Sequence, residues 1–243
     1  ACHDFKPFIK SLWRFGIDLK RADFDSRLAA YVLNPGERSY DLGRLVLKEF
    51  GRSMPEEAAE RLAFSVDALL RLKPILAARL EAAETEKVFG EIEMPLMPVL
   101  ARMEFLGIKV LGKKLKDLAS ALGKELLKLQ KEIYKLAGGQ FNINSPQQLS
   151  EILFIKLKIP GARAGGRIKK TAGGALSTEA GELLKLRPHH KIIDFILRYR
   201  ELAKLKSTYT DSLTELIDEK GRIHTTFNQA GTTTGRFNSA NPN

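Results

Sequence analysis

GKKLKDLASALGKELLKLQKEIYKLAGG, running from Gly112 to Gly139, decides the architecture. Within it Leu115, Leu118, Leu122, Leu126, Leu129, Ile133 and Leu136 recur every three or four residues. That interval predicts one long helix over 112–138, about seven turns at 3.6 residues each. Lysines crowd the other positions, and Gly138-Gly139 supplies the stop. An apolar stripe this long needs a second helix to cover it. Residues 190–206 supply an antiparallel partner, with Ile192, Ile196, Tyr199 and Ala203 on one face. Two long helices with a tip between them make an arm. A free coiled coil is the other reading, but the repeat does not continue past the glycines.

The tip opens with NINSPQQLSEILF, 142–154. Ser145 is a good N-cap, Pro146 suits the first helical position, and Gln148 follows the cap by three as in a capping box. Next comes GARAGGRIKKTAGGALST, 161–178, whose glycines disfavour regular structure. Between Glu151 and Glu179 there is no acid, yet Lys156, Lys158, Arg163, Arg167, Lys169 and Lys170 lie there, with hydroxyls at Thr171, Ser177 and Thr178. Unpaired cations on a glycine-rich loop suit a phosphate backbone. No GxxxxGK[ST] occurs, so it is not a P-loop. A plain surface loop is the bland alternative.

The formal charge of +11 is unevenly placed. Residues 1–110 balance 17 Lys/Arg with 17 Asp/Glu, whereas 111–243 carry 23 against 12. The excess in the second half points to a polyanion partner or to a solvated basic face. A single cysteine, Cys2, excludes a disulfide framework and a cysteine-rich zinc site, and fits a reducing compartment. No apolar run approaches the ~20 residues of a membrane span, and ACHDFKPFIK lacks a signal-peptide layout. A cytoplasmic protein is expected.

Residues 1–80 read as mixed α/β. LAAYVLNPG (28–36) is a helix or buried element meeting a turn, and 55–80 have helical spacing at Ala59, Leu62, Ala63, Val66, Leu69 and Leu70 behind Pro55. A further helix over 86–107 places Ile92, Leu96, Val99, Leu100, Met103 and Leu106 on one face, with a kink or break at Pro95 and Pro98 and an end at Gly107. GRIHTTFNQAGTTTGRFNSANPN (221–243) starts strand-like, with Ile223, Thr225 and Phe227 alternating. Gln229, Arg236, Asn238, Ser239, Asn241 and Asn243 then have no evident core role and are types that reach phosphate, sugar and base edges. The bare stop at Asn243 reads as a cut.

These segments, in this order, resemble family A DNA polymerases of the bacterial DNA polymerase I type. EIEMPLMPVLARMEFLGIKV (91–110), IYKLAGGQFNINSPQQLSEILFIKL (133–157), IKKTAGGALST (168–178), ILRYRELAKLKSTYTDSL (196–213) and the terminal segment carry the likeness, which covers 86–243. The resemblance implies a mainly α chain with an α/β N-terminal part. It implies a 3′–5′ exonuclease-like, RNase H-like remnant over 1–85, a connecting helix over 86–110, a DNA-binding thumb over 111–207 and the start of a palm over 208–243. It places DNA contacts on Asn142, Asn144, Lys169, Lys170, Ser177, Thr178, Arg200, Lys204, Arg236 and Asn243, to which the terminal-segment reading adds Gln229. Phe237 stands where the family usually has leucine, and Asn238 where it usually has serine.

The implied partner is a primer–template DNA duplex, with deoxynucleoside triphosphates and Mg2+ belonging to the catalytic part of the parent enzyme. No DYSxxELR, KxxNFGxxYG or VHDE string is present, so the chain alone is expected not to polymerise. The carboxylates of a two-metal nuclease are also missing. Phe8 falls where an aspartate is expected, Arg61 and Ser65 where a Tyr and an Asp are, and Asp4, Asp25 and Asp67 read as surface or capping acids. An inactive remnant without metal is expected, in a monomer. His189, His190 and His224 have no partner spaced for zinc. The alternative function is a non-catalytic nucleic-acid-binding protein derived from a polymerase thumb.

Overall fold

The computed structural model describes residues 1–19, 21–160, 169–171 and 174–243. The chain is mainly helical and divides into two compact units. One unit joins Ala1–Lys109 to Arg222–Asn243, and the other is Val110–Gly221.

The first unit contains α1 (Phe5–Arg14), α2 (Ser26–Leu33), α3 (Leu42–Phe50), α4 (Ala58–Ala82) and α5 (Met94–Leu106), then β1 (Ile108–Lys109). In place of the mixed α/β expected for residues 1–80, the described residues there form helices, with one β-bridge between Cys2 and Asp25. Asp25 explains part of this. Its carboxylate is 1% exposed and accepts backbone N–H groups at both helix starts: Asp4 (3.2 Å) and Phe5 (2.7 Å) for α1, Arg27 (2.8 Å) and Leu28 (3.2 Å) for α2. One side chain thus caps two helices.

Two helices turn a different face inward from the expected one. On α4 the buried set is Ala68, Leu72, Leu76 and Leu80, while Leu62, Val66 and Leu70 are exposed. On α5, Met94, Met97, Leu100, Ala101 and Glu104 are buried, and Val99, Met103 and Leu106 are exposed, as is Ile92 just before the helix. Both helices have apolar residues on more than one side. The inward face of α5 also carries Glu104, a type hydrophobicity rules place outside. No break falls at either proline: α5 carries Pro95 in its first turn and runs on through Pro98, and the irregularity lies earlier, as a π-helical turn over Val88–Glu93. Gly107 ends α5 at φ 66°, and an added Cβ would lie 2.8 Å from the Ile223 carbonyl.

Glu104 ties the unit together. It accepts from Lys6 Nζ (2.6 Å), from Lys10 Nζ and from the Phe227 amide (2.8 Å), while its carbonyl meets His224 Nδ1 at 2.8 Å. Chain segments more than 200 residues apart therefore share one carboxylate. The returning residues add β2 (Arg222–Ile223), antiparallel to β1, and the hairpin of β3 (Thr226–Asn228) with β4 (Asn238–Ala240), in which Phe227 faces Ser239.

The second unit is an arm of α6 (Gly112–Ala137), α7 (Pro146–Ser150), α8 (Ala180–Leu186), α9 (Ile192–Leu205) and α10 (Ser212–Glu215), with π-turns at Glu151–Lys156 and Lys206–Asp211. The long helix and its antiparallel partner form as expected. A Cβ added at Gly123 would lie 3.7 Å from the Lys206 side chain and one at Gly112 3.3 Å from Ile217, so residue numbers rise along α6 as they fall along the returning chain. The seam drifts from the expected set: Leu118 is half exposed and Ala119 turns inward, because 3.6 residues per turn does not keep a 3.5-residue stripe on one side. Packing is densest at the tip end, where Ile133, Ala137, Ile143, Leu149, Leu153, Leu183, Leu186, Ile192, Ile193 and Ile196 form one cluster.

Glu104→Ala strands a buried lysine and should cost about 3 kcal/mol in urea unfolding. Burial opposes ionisation of Glu104, but hydrogen bonds from Lys10, Lys6 and the Phe227 amide outweigh it and hold the carboxyl below its ordinary value. Its contribution is therefore complete above about pH 4.3 and is lost as pH falls through the lower folded value. Wild type should lose stability toward acid more steeply than Glu104→Gln, with the gap between them closing below that pH.

Candidate nucleic-acid interface

At the arm's tip the run Asn142-Ile143-Asn144 alternates. Ile143 is 2% exposed and anchored in the core, so its two asparagines face outward. Asn142 Oδ1 accepts the Asn144 amide at 3.0 Å, and the Asn142 amide donates to Gln148 Oε1 at 2.7 Å. Ser145 caps α7 as expected, its hydroxyl accepting the Gln148 amide at 3.4 Å. The reciprocal half of the capping box is redirected, since Gln148 reaches Asn142 rather than the cap. Tyr134 braces the same place. Its hydroxyl donates to the Phe141 carbonyl at 2.9 Å and accepts from Gln130 at 2.7 Å. Neither Gln130 nor Tyr134 was legible as a tip residue. A tyrosine beside an otherwise aliphatic stripe was the available signal. Burial pushes the Tyr199 phenol up, Tyr134 adds to this, and a hydrogen bond with Asn144 partly offsets it. Lys156 closes the tip by donating to the Gly138 carbonyl at 2.9 Å, a cation at the C-terminal end of α6.

The loop that follows is described only in part, and Arg163 and Arg167 lie outside the described residues. Residues 169–171 and 175–177 pair as a small hairpin, with Thr171 N to Ala175 O at 2.8 Å and Ser177 N to Lys169 O at 2.8 Å. Lys169 and Lys170 are exposed on it. Ser177 and Thr178, expected as outward hydroxyls, are instead 5% and 4% exposed. Ser177 Oγ accepts the Glu179 amide ahead of α8, and the Thr178 carbonyl accepts from Arg200. Arg200 is half-buried, and burial lowers its pKa from the ordinary value, whereas Lys204 one turn on is exposed. Among the described residues, the ion pairs of this unit are Lys185–Glu182, Arg187–Asp194, Arg198–Glu201 and Lys206–Asp211. Among the described residues, Lys169, Lys170 and Lys204 have no acid within ion-pair distance.

The remaining candidates belong to the first unit. Gln229 is 5% exposed, and its Nε2 donates to the Glu93 carbonyl at 2.7 Å and to the Glu93 carboxylate. Its Oε1 is buried with no partner among the described residues. Arg236 and Asn243 are exposed, and Asn243 Oδ1 accepts from Ser239 at 2.9 Å. The acids considered for nuclease chemistry are dispersed: Asp25 caps helices, Asp4 pairs with Arg27, and Asp67 pairs with Arg71 at 3.0 Å. Among the described residues, no three His, Cys, Asp or Glu side chains are grouped to hold a metal. His190 Nδ1 accepts the Ile192 amide at the start of α9.

Comparison with known proteins places this geometry. The model of DNA polymerase family A matches residues 112–243, more than half the chain. The chain belongs to DNA polymerase family A. Among curated family A relatives, it is 39% identical to DNA polymerase I of Geobacillus stearothermophilus over 95% of this chain and 28% of that protein. It is 42% identical to the thermostable DNA polymerase I of Thermus aquaticus over 95% of this chain and 26% of that protein. The polymerase domain of Pol1 from M. smegmatis, solved in complex with DNA primer-template and dNTP, superposes with a TM-score of 0.87 at 32% identity, over 99% of this chain and 41% of that one. The chain thus spans about a quarter of the length of the curated relatives it matches.

Ser145→Ala removes the cap of a five-residue helix and should cost about 1 kcal/mol. Amide exchange should quicken over 144–149, while the amides of α6 change no more than the global loss requires.

Proposed function

We propose that this chain is the primer–template-gripping part of a family A DNA polymerase, with 111–207 as the thumb and 208–243 as the start of the palm. The observation that carries the reading is a hydrogen-bonded tip with outward amides, on an arm whose exposed Lys169, Lys170 and Lys204 form no ion pair among the described residues. Exposed cations outside ion pairs are suited to displace the counterions of a phosphate backbone, and amides on a fixed turn can then set register. Arg236 and Asn243 offer the same chemistry in the first unit. The Pol1 structure bound to primer-template and dNTP supports the choice of ligand. Arg200 fits a positioning role, holding the end of the loop through the Thr178 carbonyl.

The nucleotidyl transfer of the parent enzyme rests on two metal ions that clamp the attacking and leaving oxygens. The motifs that would carry their ligands are absent from this sequence, so Mg2+ and triphosphate are assigned to other parts of the polymerase. Residues 1–85 fit an exonuclease-like remnant without nuclease chemistry, because Asp4, Asp25 and Asp67 are engaged in caps and ion pairs. We read the chain as monomeric and cytoplasmic. Among the described residues, no helix is long and apolar enough to cross a membrane.

Affinity for a primer–template duplex measured against salt tests the reading. Lys169→Ala, Lys170→Ala and Arg236→Ala should each weaken binding and lower the slope of log affinity on log salt by roughly 0.9. No binding by wild type at low salt would sink the proposal. A second assay follows single-stranded DNA with manganese or magnesium present. No hydrolysis is expected, and hydrolysis abolished by Asp67→Ala would overturn the remnant reading.

A further inference from the structure

A cavity of about 280 Å³ opens within the first unit, where α1, α2, α5 and β3 meet. Pro7, Leu28, Met97 and Phe227 are in its wall, so a ligand there would rest largely against carbon. Its charged groups do not cancel once their bonds are counted. Asp25 is engaged by the four backbone amides that start α1 and α2, whose N-terminal dipoles offset its charge. Asp4 pairs with Arg27. Glu104 then faces two ammonium groups, Lys6 and Lys10. Lys6 is buried and gives a further bond to the Phe227 carbonyl. Lys10 is partly exposed and, among the described residues, has Glu104 as its one partner. One positive charge is therefore left over, on the side of Lys10.

The wall also holds an acceptor without a donor. Gln229 Nε2 donates to both the carbonyl and the carboxylate of Glu93, so the amide cannot turn over without setting oxygen against oxygen. Its Oε1 stays buried with no partner among the described residues. An unmet buried acceptor is costly, and a donor brought to this wall would satisfy it. Apolar walls with a few convergent polar groups are the usual make-up of a small-molecule site. We propose that the cavity binds a small organic monoanion: a carboxylate meeting Lys10, an aromatic body against Leu28, Met97 and Phe227, and an N–H or O–H donor for Gln229. The site lies wholly in the first unit and takes a ligand other than nucleic acid, so it stands apart from the primer–template reading.

Titration of the 243-residue chain with 2-aminobenzoate, followed by the probe's fluorescence and by calorimetry, tests this. Saturable binding at a single site is expected, with a dissociation constant of about 1 mM or tighter. Benzoate, which lacks the donor, should bind roughly tenfold more weakly, and so should 2-aminobenzoate to Lys10→Met. Ala240 is exposed and in the cavity wall, so Ala240→Leu fills space without touching the Glu104 cluster. It should weaken binding roughly tenfold or more, with helix content by circular dichroism unchanged. Circular dichroism also shows whether Lys10→Met is folded, and Ala240→Leu decides the case by itself where it is not. Absence of saturable binding by wild type overturns the proposal. Undiminished binding to Ala240→Leu overturns it too, because the probe then sits elsewhere on the surface. Equal affinity for benzoate, or for 2-aminobenzoate on folded Lys10→Met, removes the recognising groups and overturns it equally.

Discussion

Glu104 is a carboxylate with 3% of its surface exposed, and donors from two other elements close on it. Lys6 and Lys10 come from α1, the carboxylate from α5, and the Phe227 amide from β3. A buried charge is tolerable only when its partners all arrive, so the cluster forms as a whole or not at all. That condition explains why Arg222–Asn243 packs with Ala1–Lys109 although Val110–Gly221 intervenes in the chain. The β3–β4 hairpin and the loop bearing Arg236 and Phe237 owe their placement to the same carboxylate.

The arm follows a different logic. Its interior is aliphatic and most crowded toward the tip, where Ile133, Leu149 and Ile193 are fully buried. The polar groups there satisfy backbone first: Ser145 and Gln148 the tip turn, Tyr134 the Phe141 carbonyl, Lys156 the end of α6. What remains outward is a small set of amides and ammonium groups on a stiff backbone. A partner of the proposed function would find these groups already ordered by their own hydrogen bonds.

Several elements were legible because their causes are local. The glycine stop at 138–139, the Ser145 cap and the helix end at Gly107 depend on residues within one turn, and each forms as expected. The inward faces of α4 and α5 were not, since both helices carry apolar residues on several sides and neighbours choose among them. Ser177, Thr178 and Gln229 show the same limit at the candidate site. Their side chains suit a groove equally well as a cap or a buried bond, and the tertiary structure buries all three.

By itself, the sequence determined the helical character of the arm, the chemistry of its tip and loop, the uneven charge and the family. All of these follow from residue type and short spacing, which propensity, capping and Coulomb attraction read directly. Only the tertiary structure decided which helix faces go inward, which polar side chains stay exposed, and that Asp25 caps two helices while Glu104 unites three segments. Those outcomes depend on groups far apart in the chain, and their free energy appears only once packing has excluded water from the space between them.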